Sequence, residues 1–313
     1  MSCATATGAG TATVLAVAAL LALNGCARPQ SPGEPGTATP AVTEPAAVGA
    51  PDRACPDQLA TYPPAPADQR IGLRPFRAPL RVAVSDDAPG LASADLKSGR
   101  LEGLEIDLAR ALAEEFTPGT APDLRVRDEQ TAIAELTDGK VDLVIRQLAI
   151  TCRPDRGAPE FSAPYLQTPI TILSRDAQLG TAADLSGRRV CAVNHSTAMT
   201  QVLRAGARAV PAESLSACLL RQQQGTVDAV VGEHAVLAAF AALDHRSRLG
   251  SEKLGTTYFG VAAASGGVNQ IRLTNLVLQE RSNSGTWADS YNRWVRPYAG
   301  SGSAPQPNYG RKP

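Results

Sequence analysis

Charged side chains follow two copies of one short pattern in this chain. The copies are "GKVDLVI" (139–145) and "GTVDAVV" (225–231). Arg146 comes directly after the first copy, and Glu233 and His234 come just after the second. A guanidinium, a carboxylate and an imidazole can bind charged groups of a small solute through charge-assisted hydrogen bonds. Because we find no nucleophile–base pair, phosphate loop or metal-ligand spacing, the pattern favours binding over catalysis.

Each copy of the pattern predicts a buried strand that follows a helix. The apolar run after each Asp is typical of a strand covered on both faces, and each Gly ends the preceding helix. We expect Asp142 and Asp228 to fix the local turn or the strand end. Ligands of open α/β sheets bind beyond the carboxyl ends of the strands. The loops at 146–151 and 232–234 are therefore expected to line one cleft.

Strand-like and helix-like segments alternate from residue 79 onward. The order is β-α-β-α-β as far as residue 145, and it restarts after one long extended segment at 165–175. This alternation predicts two similar α/β units. In the last helix, Trp287, Tyr291 and Trp294 share one face and are expected to pack in the core.

The composition excludes some partners. The chain has 313 residues, with Lys+Arg and Asp+Glu both at 30 and a formal net charge of zero. No basic field favours nucleic acid or an anionic membrane surface. Neither a cofactor nor a metal is expected.

The N-terminal region predicts export. "TATVLAVAALLALNGC" is an apolar run that ends at Cys26, and 1–26 is predicted to be a lipoprotein signal peptide with Cys26 as the lipidated residue. An ordinary secretory signal and a retained membrane anchor are the alternatives. The Pro- and Ala-rich residues in 27–78 predict a tether and N-terminal segment, and 298–313 is predicted to be a disordered tail.

Four cysteines remain beyond Cys3 and Cys26. An even number in an exported chain predicts disulfides. Four cysteines allow three pairings, and the proximity of two of them in sequence favours Cys191–Cys218 together with Cys55–Cys152. A metal site is the less favoured alternative, because no CxxC-type spacing is present.

Nine segments, taken in order, resemble one family. The chain from about 79 to 297 is similar to the solute-binding proteins of polar amino acid ABC transporters, such as the glutamine- and glutamate-binding proteins. The resemblance implies an α/β fold of periplasmic-binding-protein type II, with two α/β lobes joined by a two-strand hinge and a ligand cleft between them. The segments that carry it are "LRVAVSDDAPG", "LEGLEIDLARALAEE", "GKVDLVIRQLAIT", "EFSAPYL", "DLSGRRVCAV", "STAM", "GTVDAVVGE", "YFGVAAA" and "SGTWADSYNRW".

The resemblance also implies where the lobes begin and end. Lobe 1 is built from 79–168 plus 262–297, and lobe 2 from 173–257. The two crossover strands are then about 167–174 and 255–262. The lipobox and the cysteines resemble the lipoprotein branch of Gram-positive and actinobacterial cells.

An amino acid ligand needs a guanidinium for its carboxylate and an acid for its ammonium group. The family's Arg follows a stretch that corresponds here to 149–151, and the matching position is Pro154. Arg153 and Arg156 are therefore the two candidates, with Arg153 slightly ahead. The alternative is that both are surface arginines.

Other ligand contacts come from positions that match the family. Ser196 and Thr197 correspond to anion contacts in lobe 2, and Glu233 corresponds to the acid that binds the ammonium group. Asp87 matches a position in the wall of lobe 1. The full set of predicted ligand-binding residues is Asp87, Arg146, Gln147, Ala149, Arg153, Arg156, Ser196, Thr197 and Glu233.

The sequence departs from the family at several ligand positions. Leu91 and Glu129 stand where stacking aromatics are usual, and Ala132 stands where glutamate-binding relatives have Arg. Arg146 supplies a substitute charge or is simply solvated. A typical glutamine pocket is therefore not expected, and the ligand stays open.

Two of the three histidines, His195 and His234, lie in the predicted cleft loops. They could contact the ligand, make closure pH-sensitive, or form a metal site with Glu233. The favoured interpretation is that they are exposed loop residues.

The leading functional hypothesis is a monomeric, surface-anchored lipoprotein without enzymatic activity. It captures a small polar ligand, expected to be an amino acid, and delivers it to an ABC permease in the membrane. One alternative is an adaptor with a divergent pocket that signals to a sensory membrane protein. A less favoured one is an enzyme that resembles cyclohexadienyl dehydratases, with Glu233 or Glu129 as the acid.

Overall fold

The computed structural model describes residues 59–66, 76–150 and 157–312. The first half of the fold is a β/α unit followed by a long strand. Its elements are β1 (Arg81–Val84), β2 (Asp87–Ala88), β3 (Ala92–Ala94), β4 (Leu101–Glu102), α1 (Leu104–Phe116), β5 (Asp123–Val126), α2 (Glu129–Thr137), β6 (Leu143–Val144) and β7 (Glu160–Ser174).

The second half repeats the β/α alternation and then returns to the first. Its elements are β8 (Arg189–Val193), α3 (Thr197–Arg204), β9 (Arg208–Ala212), α4 (Leu215–Gln223), β10 (Ala229–Glu233), α5 (His234–Leu243), β11 (Arg248–Leu249), β12 (Gly255–Ala263), α6 (Val268–Asn283), α7 (Thr286–Trp294) and α8 (Arg296–Ala299). No helix in the described ranges is both long and apolar enough to cross a membrane.

One continuous sheet runs through both lobes in the order β5-β1-β6-β12-β7-β10-β8-β9, with β11 also paired to β7. Strand β1 is parallel to β5 and β6 in lobe 1, and β8 is parallel to β9 and β10 in lobe 2. Strands β7 and β12 are antiparallel to each other and lie between these two parallel groups. The predicted crossover strands fall within them, and the two-lobed α/β fold is confirmed.

Helix α1 shows why these elements form. Leu104, Leu108, Leu112 and Phe116 recur at intervals of four residues, so they share one face, and all four are buried. This helix is the first one in the β-α-β-α-β order that the sequence predicts as far as residue 145. Trp287 and Tyr291 of α7 are buried as expected.

The repeated Gly-x-Val-Asp pattern builds the same contact in each lobe. Asp142 accepts hydrogen bonds from the Arg81 backbone N–H (2.8 Å) and guanidinium, and that guanidinium also donates to the Gly139 carbonyl. Arg189 contacts Asp228 and the Gly225 carbonyl in the same way.

These contacts tie the start of one parallel strand to the start of its neighbour, at the strand ends that lie away from the carboxyl-end loops. The structural role predicted for Asp142 and Asp228 is confirmed.

The C-terminal tail differs from the prediction of disorder. The Thr61 N–H donates to the Asn308 carbonyl (2.9 Å), and the Arg311 N–H donates to the Thr61 carbonyl (3.0 Å). The Arg311 side chain pairs with Glu160 and lies 4.3 Å from the ring centre of Tyr62. These contacts with a distant segment hold residues 300–312 in place. The low hydrophobicity of the tail itself does not indicate that such partners exist.

Candidate functional site

A cavity of about 170 Å³ lies between the two lobes at the carboxyl ends of their strands. Lobe 1 contributes residues that follow β1, β5 and β6, and lobe 2 contributes residues that follow β8, β9 and β10. Six of the predicted ligand-binding residues line this cavity: Asp87, Arg146, Gln147, Ala149, Ser196 and Glu233. Arg153 and Arg156 lie outside the described residues, as do Cys26, Cys55 and Cys152.

Arg146 is mostly buried, which contradicts the alternative that it is solvated. Its side chain is 13% exposed, and one terminal nitrogen lies 3.9 Å from a carboxylate oxygen of Glu129. Its Nε atom is buried and has no hydrogen-bond partner among the described residues. A buried donor without a partner is costly, so this guanidinium has capacity to bind a ligand anion.

Glu233 ends β10 and precedes the first residue of α5. Burial raises the pKa of its carboxyl group, and the nearby negative charge of Glu129 raises that pKa further, against a hydrogen bond from the Glu233 backbone. Within the described residues, Glu233 forms no ion pair. A carboxylate that has lost water without gaining a cation gains from a ligand ammonium group.

Ser196 does not offer a free hydroxyl, because it caps helix α3. Its Oγ atom accepts a hydrogen bond from the Met199 N–H (3.1 Å) and donates to the Val193 carbonyl (2.7 Å). Thr197 is the first residue of α3 and does not line the cavity. The prediction that Ser196 and Thr197 contact a ligand anion stays a prediction, and the capping bonds limit what the Ser196 hydroxyl can offer.

Asp87 joins the two lobes at the cavity. Its Oδ2 atom accepts a hydrogen bond of 2.8 Å from Ser216 in α4. The residues just before Ser216 also line the cavity, namely Glu213, Ser214 and Leu215. They are not among the ligand-binding residues predicted from the sequence. They follow β9 directly, so the carboxyl-end rule applied to that strand would have found them.

The histidines occupy different places. His195 is exposed, lines the cavity and has a left-handed backbone (φ 58°). His234 is only half-exposed and lies outside the cavity lining, so the interpretation as exposed holds only for His195. Burial lowers the pKa of His234, whereas a hydrogen bond to the Ala299 backbone raises it. No metal-binding group of three or more His, Cys, Asp or Glu residues occurs in the described part of the chain.

Gln147 has a left-handed backbone (φ 47°), which costs a residue other than Gly about 1–3 kcal/mol. Glu105 holds it there. The Gln147 N–H donates to Oε1 of Glu105 (2.8 Å), and the Gln147 side-chain amide donates to Oε2 (2.5 Å). Sequence reasoning missed Glu105, because an acid in the first turn of a helix usually faces solvent and complements the helix dipole.

Among the described residues, no Phe, Tyr or Trp lines the cavity in place of the family's usual aromatics. Leu91 is fully buried in the core of lobe 1 and does not line the cavity, and the same is true of Ala132. Glu129 does line it. The predicted departure from a typical glutamine pocket therefore stays a prediction about ligand preference.

The predicted Cys191–Cys218 disulfide is confirmed. It joins β8 to α4, with the two Cα atoms 5.4 Å apart. Both elements lead to cavity residues, since 194–196 follow β8 and 213–215 enter α4. The disulfide therefore fixes the spacing of two walls in lobe 2.

Two α/β lobes, two antiparallel strands between them and a polar cavity at the junction define a periplasmic-binding-protein type II fold. Residues 80–297 match the profile of the bacterial extracellular solute-binding proteins, family 3, and the chain belongs to this family. Members of this family are solute-binding transport proteins rather than enzymes.

Known relatives bind amino acids. The ABC transporter glutamine-binding protein GlnH of Bacillus subtilis is 22% identical over 205 residues, which cover 64% of this chain and 74% of GlnH. ABC transporter arginine-binding protein 1 of Escherichia coli is 25% identical over 191 residues, or 60% of this chain and 75% of that protein. The structure of an ancestral arginine-binding protein bound to glutamine is similar with a TM-score of 0.64 and 27% identity, covering 72% of this chain and 100% of the other.

Proposed function

We propose that this protein captures a free amino acid between its lobes and delivers it to an ABC importer. In this proposal the chain is exported, is lipidated at Cys26, and holds its folded body away from the membrane on the Pro- and Ala-rich tether that follows Cys26. It acts as a monomer and catalyses no reaction. The membership of the family and the names of the relatives support the ligand class and the transporter partner.

The observation that carries the proposal is the pairing of opposite charges in one cavity. Among the described residues, Arg146 has a largely buried guanidinium whose Nε has no hydrogen-bond partner, and Glu233 has a partly buried carboxylate that forms no ion pair. A zwitterionic amino acid carries a carboxylate and an ammonium group, so one ligand satisfies both. Each group alone is unfavourable when buried, and the energy gained on binding offsets that cost.

The position of the cavity supports closure around the ligand. The Asp87–Ser216 hydrogen bond joins lobe 1 to lobe 2, so it exists only when the lobes are together. A ligand that contacts both Arg146 and Glu233 also favours this closed arrangement. Differential affinity for the two arrangements is what shifts the population toward the closed one.

A thermal-shift screen tests the binding. At an amino acid concentration of about 1,000 times Kd, the ligand stabilises the protein by about 4 kcal/mol. We expect Tm to rise by about 10 °C for a body of this size. The screen uses the free amino acids, beginning with glutamine and arginine, and the N-acetylated form of each as the matched control.

The expected control result is no shift, because acetylation removes the charge that meets Glu233. Stabilisation by none of the amino acids would contradict the proposal, and so would equal stabilisation by the acetylated forms. Turnover of prephenate or arogenate would instead support the dehydratase-like alternative. Loss of amino acid uptake in cells that lack the protein would favour a transport role over a sensory one.

The lipid anchor has its own test. Replacing Cys26 with Ala removes the thiol that carries the lipid, so we expect the protein to move from the membrane fraction to the medium. Cys3→Ala is the matched control and leaves the protein in the membrane fraction. Immunoblots of the two fractions measure the change. Retention of the Cys26→Ala variant in the membrane fraction, resistant to high salt, would contradict lipidation.

A further inference from the structure

Glu105 is a fully buried acid that the proposed ligand contacts do not include. Besides its two hydrogen bonds from Gln147, it accepts one on Oε1 from the Tyr165 hydroxyl (2.5 Å). Two elements that lie far apart in sequence therefore share one carboxyl group. A buried carboxyl group is stable only when its oxygens are paired in this way.

Tyr165 lies at an irregularity in the strand pair between the lobes. Its neighbour Leu166 pairs with Phe259 of β12, whereas Pro164 pairs with Gly260, so Tyr165 itself has no partner in β12. A bulge of this kind bends the strand locally. The Tyr165 carbonyl accepts a hydrogen bond of 2.8 Å from the Trp287 indole, so α7 also fixes the bulge.

The loop at 146–150 is bonded to the other strand of the same pair. The Gly260 N–H donates to the Leu148 carbonyl (3.1 Å), and the Ile150 N–H donates to the Tyr258 carbonyl (2.8 Å). A Cβ atom at Gly260 would lie 2.8 Å from the Ile150 side chain, so the loop and β12 are in close contact. Arg146 and Ala149, which line the cavity, are thus carried by a loop held between Glu105 and β12.

We infer that Glu105 is a positioning residue that couples the ligand-facing loop at 146–150 to the strands β7 and β12 between the lobes. It holds the loop through Gln147 and holds β7 through Tyr165. Strands β7 and β12 join the two lobes, so in this inference the orientation of Arg146 and the arrangement of the lobes depend on one another. The effect on ligand affinity rests on the proposed amino acid binding, whereas the coupling within the protein does not.

Three variants test the role. Glu105→Leu keeps the approximate volume and removes both acceptors. Glu105→Gln keeps an acceptor for the Tyr165 hydroxyl and the Gln147 N–H. The new amide group can also pair with the Gln147 side chain, if the Gln147 amide rotates so that its oxygen faces position 105. Ser85 tolerates this rotation, because its Oγ lies 3.2 Å from Oε1 and 3.0 Å from Nε2 of Gln147. Asp107→Leu is the matched control, since Asp107 is on the same helix but accepts hydrogen bonds from Ser290 and Trp294.

Two measurements are made on each folded variant of the full chain. The first is Kd by calorimetry for the amino acid that the screen selects. We expect Glu105→Leu to weaken binding about 30-fold or more, Glu105→Gln to restore it to within about threefold, and Asp107→Leu to leave it unchanged while Tm falls. The second is hydrogen exchange of the Gln147, Ile150 and Gly260 amides without ligand, which we expect to speed up together in Glu105→Leu alone.

The two measurements distinguish failure of the proposed function from failure of the inference about Glu105. If the unmodified protein binds no amino acid, the proposed function fails, and the exchange data still decide the coupling. Unchanged exchange at these amides in Glu105→Leu, or equal affinity in Glu105→Leu and Asp107→Leu, would overturn the inference. If Glu105→Leu does not fold, Tyr165→Phe replaces it. This variant removes one donor only, and we expect faster Gly260 exchange and about fivefold weaker binding.

Discussion

Replacing Glu233 with Gln is expected to weaken amino acid binding about 30-fold or more. In our proposal the partly exposed carboxylate becomes buried against the ligand ammonium group, and removal of one partner of a buried charge pair costs about 2–5 kcal/mol. The same change is expected to stabilise the protein without ligand by about 1 kcal/mol at neutral pH, because it removes a partly buried charge that has no cation among the described residues. Binding and stability therefore move in opposite directions.

The pH dependence of folding stability provides a second test of the Glu233→Gln variant. The pKa of Glu233 in the folded protein is raised above 4.5, its ordinary value. Between these two pKa values the folded state binds more protons than the unfolded state, so stability falls as pH rises through this window. The stabilisation of Glu233→Gln relative to the unmodified protein should be small below pH 4.5, grow as pH rises, and become constant above the folded pKa.

Calorimetric titration and urea unfolding measure the two effects. Glu252→Gln is the control, because Glu252 is exposed, accepts a hydrogen bond from the Ala182 N–H, and does not line the cavity. It should change neither the affinity nor the pH profile. An unchanged affinity in Glu233→Gln would show that another group binds the ammonium, and a loss of stability would show that the carboxylate has a structural partner.

Loss of the Cys191–Cys218 cross-link is expected to lower the free energy of unfolding by about 3–4 kcal/mol. The two cysteines are separated by 27 positions, and closing a loop of that size in the unfolded chain gives this magnitude in the loop-entropy model. Both side chains are fully buried. Because β8 and α4 each lead to walls of the cavity, we also expect a several-fold loss of ligand affinity.

The comparison uses two forms of the protein without the bond. Both forms carry Cys55→Ala and Cys152→Ala, so that the predicted second disulfide does not contribute. Reduction of this background removes the Cys191–Cys218 cross-link and keeps both side chains, whereas Cys191→Ala with Cys218→Ala also leaves empty volume. Urea unfolding should therefore place the reduced protein between the oxidised protein and the double variant. A difference of less than about 1 kcal/mol between oxidised and reduced protein would contradict the expected contribution.

The fold was predictable from the sequence because its signals are local. The Gly-x-Val-Asp pattern forms the same contact at the start of a strand in both lobes. The apolar spacing of α1 is regular over the whole helix. The disulfide was predictable from cysteine count and proximity. Glu233 and Arg146 were placed correctly beside the cavity, because the carboxyl ends of strands are fixed once the strand order is known.

Other parts of the site depend on contacts that no local pattern records. Glu105 looks like an ordinary acid at a helix start, and its burial follows only from the packing of the 146–150 loop and β7 over it. Ser196 matched a ligand position, but its hydroxyl is used within its own turn. Thr61 and Tyr62, two partners of the tail at 300–312, lie more than two hundred residues earlier in the chain.

Those partners make the two ends of the folded body neighbours. Ala60 and Asn308 form a parallel bridge, and the Arg311 side chain rests on Tyr62. Because the two ends are adjacent, the same fold is compatible with a different order of the segments along the chain. A short linker between these ends would allow circular permutation, with new termini at an exposed turn such as the one at Gly119. A fluorescent reporter placed at the turn of Gly119 would leave the tether, the cavity and both strands between the lobes intact.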